Sequence, residues 1–311
     1  MTRRGFLAGA GGLTGLAGCA AGPDRAEARY PPVGAFVEAE GLRIHYLEKG
    51  AGVPVVLIHG ASGNLRDMSF SLTDRLAAAG LRAIAFDRPG LGYSERPSER
   101  GWDPAVQARV LRAATRALGV ERAVVAGHSW GGAVATAWAL DAPESVIGAM
   151  SIAGATHPWG GDAGLLYSVG ANRLLSPLAR AAAAALVDED DPSAVIRRIF
   201  SPNTPPAGYA GHVGLSLALR PETFRNNAED LDNLHRAVAG LAPRYPTLAP
   251  PVLAVHGAAD RTVWASVHAE PLARDAPRGS LELLPGVGHM PHHVAEDRVV
   301  AGLRRLADGA V

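Results

Sequence analysis

The sequence predicts an α/β fold: a mostly parallel sheet with helices on both faces and a helical cap inserted into it. Three observations lead there. From residue 35 onward, short strand signals alternate with helical ones. Most of the strand signals are continuous apolar runs such as Val55-Val56-Leu57-Ile58, the pattern of strands covered on both faces. The alternation breaks between about 156 and 249, where helical patches and prolines stand without a convincing buried strand.

In order, Ala35–Glu40 and Leu42–Glu48 alternate apolar and polar residues around Gly41, as an antiparallel hairpin does. Val53–His59 is the first buried strand. Leu65–Ala79 reads as one helix stopped by Gly80, and Leu81–Phe86 as a strand closed by the turn residues Asp87-Arg88-Pro89-Gly90. Asp103 caps a helix to Leu118, with Pro104 in its first turn and Gly119 ending it. Arg122–Gly127 is a strand, Gly131–Leu140 a helix of small residues, and Val146–Ala153 a strand. After the cap come strands at Pro251–Val255 and Leu281–Leu284, separated by a helix over Ser266–Asp275. A helix over Pro291–Ala307 closes the chain.

The cap spans 156–249, and the core is assembled from 35–155 and 250–311. Leu174–Val187 and Ala228–Ala239 are helical, with Pro202, Pro205 and Pro206 between them. Asp188–Asp191 fits a solvated loop better than a metal site. Leu165, Leu166, Tyr167 and Phe224 fit cap core better than a pocket wall.

The N-terminus reads as an address. Arg3-Arg4-Gly5-Phe6-Leu7 precedes a Gly/Ala-rich apolar run ending at Leu16-Ala17-Gly18-Cys19. Charges, a short apolar stretch and small residues make an export signal, here similar to the twin-arginine type. The run falls short of the roughly 20 residues that a spanning helix needs. The final four residues resemble a bacterial lipobox, which implies cleavage before Cys19 and lipidation of its sulfur. Residues 1–18 are then the signal and 19–34 a lipidated tether. The expected location is the cell envelope, on the periplasmic side, with membrane contact through the lipid anchor alone. Cys19 is the single cysteine, so no internal disulfide can form.

Composition excludes other classes. The 311 residues are 48% hydrophobic and 19% charged, with zero formal net charge. Such a chain has no basic footprint for nucleic acid and is too apolar for disorder. No spaced His/Cys/carboxylate set suggests a metal, and no organic cofactor is expected.

The chemistry centres on Gly127-His128-Ser129-Trp130-Gly131, a G-x-S-x-G elbow placed between an apolar strand and a helix. Such a turn strains the serine backbone and needs small residues two positions to either side. An activated serine requires a base. His289, in the Gly-rich loop Pro285–Pro291 after the last strand, suits that role better than His292 or His293, which fall within the predicted helix; His128 reads as structural. Asp260 follows the strand ending at Val255 and completes the order Ser…Asp…His of this kind of fold. Asp87 and Asp162 are weaker candidates. The oxyanion donors are expected to be the backbone N–H of Trp130 and that of Ala61, with Ser62 the alternative.

Taken together, His59-Gly60-Ala61-Ser62, Asp87–Ser94, Gly127–Gly132, Gly257–Asp260 and Gly288-His289 resemble the α/β-hydrolase superfamily over about residues 35–308. The Gly-His-x-Trp-Gly-Gly frame is similar to that of epoxide hydrolases and haloalkane dehalogenases, which carry aspartate where this chain has Ser129. The resemblance therefore implies a serine hydrolase, first a carboxylic ester hydrolase acting on a small apolar or amphipathic acyl substrate. Amide, lactone or C–C bond hydrolysis and cofactor-free perhydrolysis would use the same three residues. A non-catalytic binder would be expected to have lost one of them.

Overall fold

The computed structural model describes residues 23–160, 165–185 and 193–310. Cys19 and the signal, Asp162 and the acidic run Asp188–Asp191 lie outside the described residues, as do the side chains of Leu165, Leu166 and Tyr167.

Among the described residues, one sheet contains eight strands: β1 (Ala35–Ala39), β2 (Leu42–Lys49), β3 (Val53–Ile58), β4 (Leu81–Phe86), β5 (Ala123–His128), β6 (Val146–Ile152), β7 (Val252–Gly257) and β8 (Gly279–Leu284). Their spatial order is β1-β2-β4-β3-β5-β6-β7-β8. The β1–β2 and β2–β4 pairs are antiparallel and the other five parallel, so the mostly parallel sheet expected from the apolar runs is present. Glu40 and Gly41 both take positive φ at the hairpin turn, which matches the twist of the paired strands. Strands β5 and β7 are buried at every residue, as expected of strands that are apolar up to a histidine near their C-terminal ends, His128 and His256.

The helices are α1 (Pro23–Arg29), α2 (Leu65–Ser69), α3 (Leu72–Ala78), α4 (Pro104–Ala117), α5 (Trp130–Asp141), α6 (Leu165–Ala171), α7 (Ser176–Ala185), α8 (Ser193–Phe200), α9 (Tyr209–Val213), α10 (Pro221–Leu241), α11 (Ala265–Asp275), α12 (Pro291–Val294) and α13 (Glu296–Ala307). Two apolar clusters, one on each face of the sheet, bury these helices against it. One gathers Val56, Ile58, Val110, Trp130, Trp138 and Leu272, the other Val55, Leu57, Leu72, Ile152, Val299 and Leu303. Between β6 and β7 the described residues form only helices, α6 to α10 with short 3₁₀ turns.

Two predicted helices are each broken in two. At Ser71 the backbone leaves helical geometry, with φ −149° and ψ −32°, and its hydroxyl donates to Glu296 Oε1 at 2.6 Å. At Ala295, φ −130° and ψ 44° separate α12 from α13. Within the stretch read as a tether, residues 23–29 are helical, Glu27 pairs with Arg220, and Tyr30 is buried. No helix among the described residues is long and apolar enough to cross a membrane.

Candidate active site

Ser129 stands between β5 and α5 with φ 51° and ψ −117°. A side chain rarely takes positive φ, so neighbouring backbone must hold it there. The hold is sterically tight. A Cβ on Gly127 would lie 1.9 Å from the Gly131 carbonyl oxygen, and one on Gly131 would lie 2.4 Å from the Ile58 oxygen. Only glycine fits at either place, which is the physical content of the G-x-S-x-G spacing.

The fold collects the three residues that the sequence singled out from three loops beyond strand ends. His289 Nε2 lies 3.0 Å from Ser129 Oγ, and His289 Nδ1 lies 2.7 Å from Asp260 Oδ2. Asp260 Oδ1 accepts from the backbone N–H groups of Thr262 and Val263 at 2.8 and 3.0 Å. Burial alone would raise the Asp260 pKa. Hydrogen bonds from His256, His289 and the backbone outweigh it and hold the carboxyl well below the usual range. An ionised Asp260 fixes the Nδ1–H tautomer of His289, leaving Nε2 free to accept the serine proton. The rivals sit elsewhere. Asp87 is bonded to His45, Leu65 N and Tyr93 N, while His292 and His293 face Asp67.

The two expected oxyanion donors flank Ser129. Trp130 N–H is at the first turn of α5, where the helix leaves donors unpaired, and neither it nor Ala61 N–H meets a protein acceptor among the described residues. Ser62 N–H, the alternative, is already taken: it donates to Asn227 Oδ1 at 2.6 Å. The loop bearing Ala61 is pinned by His59. Its Nδ1 donates to the Gly60 carbonyl and its Nε2 accepts Arg88 N–H at 2.9 Å. Burial first, then the Arg88 charge, pushes the His59 pKa down to about 4, so the ring is neutral as this double role requires.

Above these groups opens a cavity of about 770 Å³, walled by Trp159, Ile196, Ile199, Phe200, Leu234 and Trp264 among others. Phe224, placed in cap core by the sequence, is buried and does not line it. The wall residues from α8 and α10 were missed in the sequence because an apolar helix face looks the same whether it meets a core or a cavity.

The sequence also missed a second polar cluster behind the elbow. Asp67, His128 and His292, with no recognisable spacing along the chain, bring ligand-type atoms within 4.8 Å of one another. The sequence shows no spaced ligand set, and this cluster has no such spacing either: it is assembled by tertiary contact alone. Asp67 also accepts from Tyr209 and His293, at 2.7 and 2.8 Å. Burial would raise its pKa, but the His292 and His293 rings hold it well below the usual range.

A strained serine between a parallel strand and a helix, with histidine and carboxylate delivered from later loops, is the framework of α/β-hydrolase enzymes. The chain belongs to the alpha/beta hydrolase fold family, whose sequence pattern matches residues 53–296. It is similar to haloalkane dehalogenase 2 of Mycobacterium bovis, 35% identical over 136 residues, which is 43% of this chain and 45% of that protein. A 2-hydroxymuconate semialdehyde hydrolase of Pseudomonas sp. is 34% identical over 131 residues, 41% of this chain and 46% of its own. The chain thus spans less than half the length of these curated relatives. Among solved structures, an esterase from Rhodococcus sp. superposes with TM-score 0.67 at 27% identity, covering 89% of this chain and 98% of that one.

Proposed function

We propose that the protein is a serine hydrolase that cleaves a carboxylic ester through an acyl intermediate on Ser129. The carrying observation is the continuous chain from Ser129 Oγ through His289 to Asp260, with both hydrogen bonds at 3.0 Å or less. In this reading His289 takes the hydroxyl proton as Ser129 attacks the ester carbonyl, and Asp260 stabilises the resulting imidazolium. The N–H groups of Trp130 and Ala61 receive the oxyanion. His289 returns the proton to the departing alcohol, and water then releases the acid by the same steps. The apolar cavity suits a small apolar or amphipathic acyl group.

Serine in place of aspartate argues against a dehalogenase reaction despite the similarity, because a hydroxyl needs the base that this site supplies. Two measurements test the reading: labelling by a fluorophosphonate probe and turnover of short p-nitrophenyl esters. Both should be lost in Ser129→Ala, with turnover falling by up to about 10⁶. Ester hydrolysis near the wild-type rate in that variant would remove Ser129 from the mechanism.

We also propose that the protein is exported and anchored in the cell envelope by lipid on Cys19, as the segment Leu16–Cys19 suggests. Cys19→Ser should release it from the membrane fraction and abolish acyl labelling. Retention of both would overturn the anchor.

A further inference from the structure

We propose that Asp67, His128 and His292 form a binding site for a divalent transition ion of the zinc type, on the cavity floor behind the elbow serine. Imidazole and carboxylate together are donors that such ions favour. Ligands at about 2.0–2.1 Å around a tetrahedral ion sit roughly 3.3–3.5 Å apart. His292 Nε2 is 3.2 Å from Asp67 Oδ2, and His128 Nδ1 is 3.9 Å from the same oxygen. The His292–Asp67 pair is already close to that spacing; His128 must close in on it, all three ligand atoms lying within 4.8 Å of one another.

The strongest sign is the protonation pattern of His128. Its Nε2–H donates to the His289 carbonyl at 2.9 Å, which leaves Nδ1 as a lone-pair acceptor. That Nδ1 is buried without a hydrogen-bond partner and faces the Asp67 carboxylate. Two acceptors turned toward each other in a buried place call for a cation or a shared donor between them. Donation of the far ring nitrogen to a backbone carbonyl is also how metal-binding histidines are usually oriented. Tyr209 and His293 hold the other Asp67 oxygen in the same supporting way.

His292 now directs Nε2–H at Asp67. To ligate, it moves that proton to Nδ1, which is likewise buried and unpartnered, so the ring remains neutral and no proton need be released. Asp67 and His128 both line the cavity, which provides the entry path. A bound ion would fix His128 and, through its hydrogen bond, the carbonyl of His289.

Chelator-treated protein should be dialysed against cobalt and then zinc chloride, with bound metal counted by elemental analysis. One ion per chain is expected, with the intense visible absorption of tetrahedral cobalt. His292→Gln and Asp67→Asn should each weaken binding at least tenfold to a hundredfold. If either variant fails to fold, X-ray absorption on the cobalt-loaded wild type decides, since imidazole ligands give characteristic outer-shell scattering. Substoichiometric binding, binding indifferent to both substitutions, or an imidazole-free spectrum would overturn the site and leave a bridging water as the occupant. None of these readouts depends on ester hydrolysis, so the metal site and the hydrolase reading can fail separately.

Discussion

Asn227, on α10, accepts the Ser62 N–H at 2.6 Å and donates back to the Ser62 hydroxyl at 2.9 Å. Ser62 has φ 55°, so the pair holds a strained turn in place beside Ala61. A helix from the insertion thereby sets the loop on which the Ala61 N–H sits. Asn227→Leu should lower kcat about tenfold to a hundredfold with little change in KM. Leaving this half-buried N–H without its acceptor costs up to about 1–3 kcal/mol, and each 1.4 kcal/mol is roughly tenfold in rate. Asn227→Asp keeps the acceptor and should recover most of the loss. If the leucine variant has wild-type kcat, this loop does not supply an oxyanion donor.

Asp260→Asn should be far more damaging than its size suggests. The Thr262 and Val263 N–H groups require an acceptor at Oδ1, so the amide oxygen must face them. The amide NH₂ then points at His289 Nδ1 and forces the ring proton onto Nε2, where it blocks transfer from Ser129. A fall in kcat of about 10⁴ is expected, as in the comparable change in another serine hydrolase. Single-turnover acylation rates with p-nitrophenyl acetate would measure it, and a loss below tenfold would detach Asp260 from the mechanism.

How far these relationships could be read beforehand depended on the reach of each signal. The elbow around Ser129 is local: two glycines, an apolar strand before them and a helix after. Asp260 and His289 were legible because strand ends in a parallel sheet converge on one edge. The breaks at Ser71 and Ala295 were not, since the Leu65–Ala79 and Pro291–Ala307 patterns are helical throughout; the Ser71–Glu296 bond that marks the first break spans 225 residues. The Asn227 pair and the Asp67 cluster had no sequence signature for the same reason. They are made by tertiary contact between residues whose types are unremarkable where they stand.

Acid should destabilise the fold before any carboxylate of the site is protonated. His59 and His268 are buried, and burial lowers both to about 4 from an ordinary 6.5. His268 accepts the N–H groups of Thr156 and His157 at Nδ1, which also requires the uncharged ring on that side. The unfolded chain therefore binds more protons than the folded one between these values. Stability is fully present above pH 6.5 and falls as pH drops toward 4, by up to about 1.4 kcal/mol per pH unit for each histidine. The urea midpoint measured from pH 7.5 to 4.5 should be flat at first and then decline. His268→Gln, whose amide oxygen can accept in its place, should reduce the slope. A midpoint independent of pH down to 4.5 would contradict the neutral buried rings.

Arg88 and Asp230 form an ion pair at 2.7 Å with both side chains fully buried, one from the loop after β4 and the other from α10. Arg88 also bonds Gln107 and stacks 4.0 Å over the Trp130 ring, whose indole N–H donates to the Asp230 carbonyl. The pair thus ties the helical insertion to the residue that follows Ser129. A buried pair contributes little net stability against a well-packed apolar substitute, but removing one partner leaves an uncompensated charge, costing about 3–5 kcal/mol. Asp230→Leu should lower Tm by on the order of 10 °C. It should also reduce turnover, because Asn227 lies one helical turn away and moves with it. Replacing Arg88 as well, as Arg88→Met with Asp230→Leu, should restore most of the Tm, since Arg96, the other cation on Asp230, retains Glu229 at 3.0 Å. Calorimetry on these two variants and the wild type decides: an Asp230→Leu protein as stable as wild type, or a double variant no better than the single, would show that the pair does not hold the two parts together.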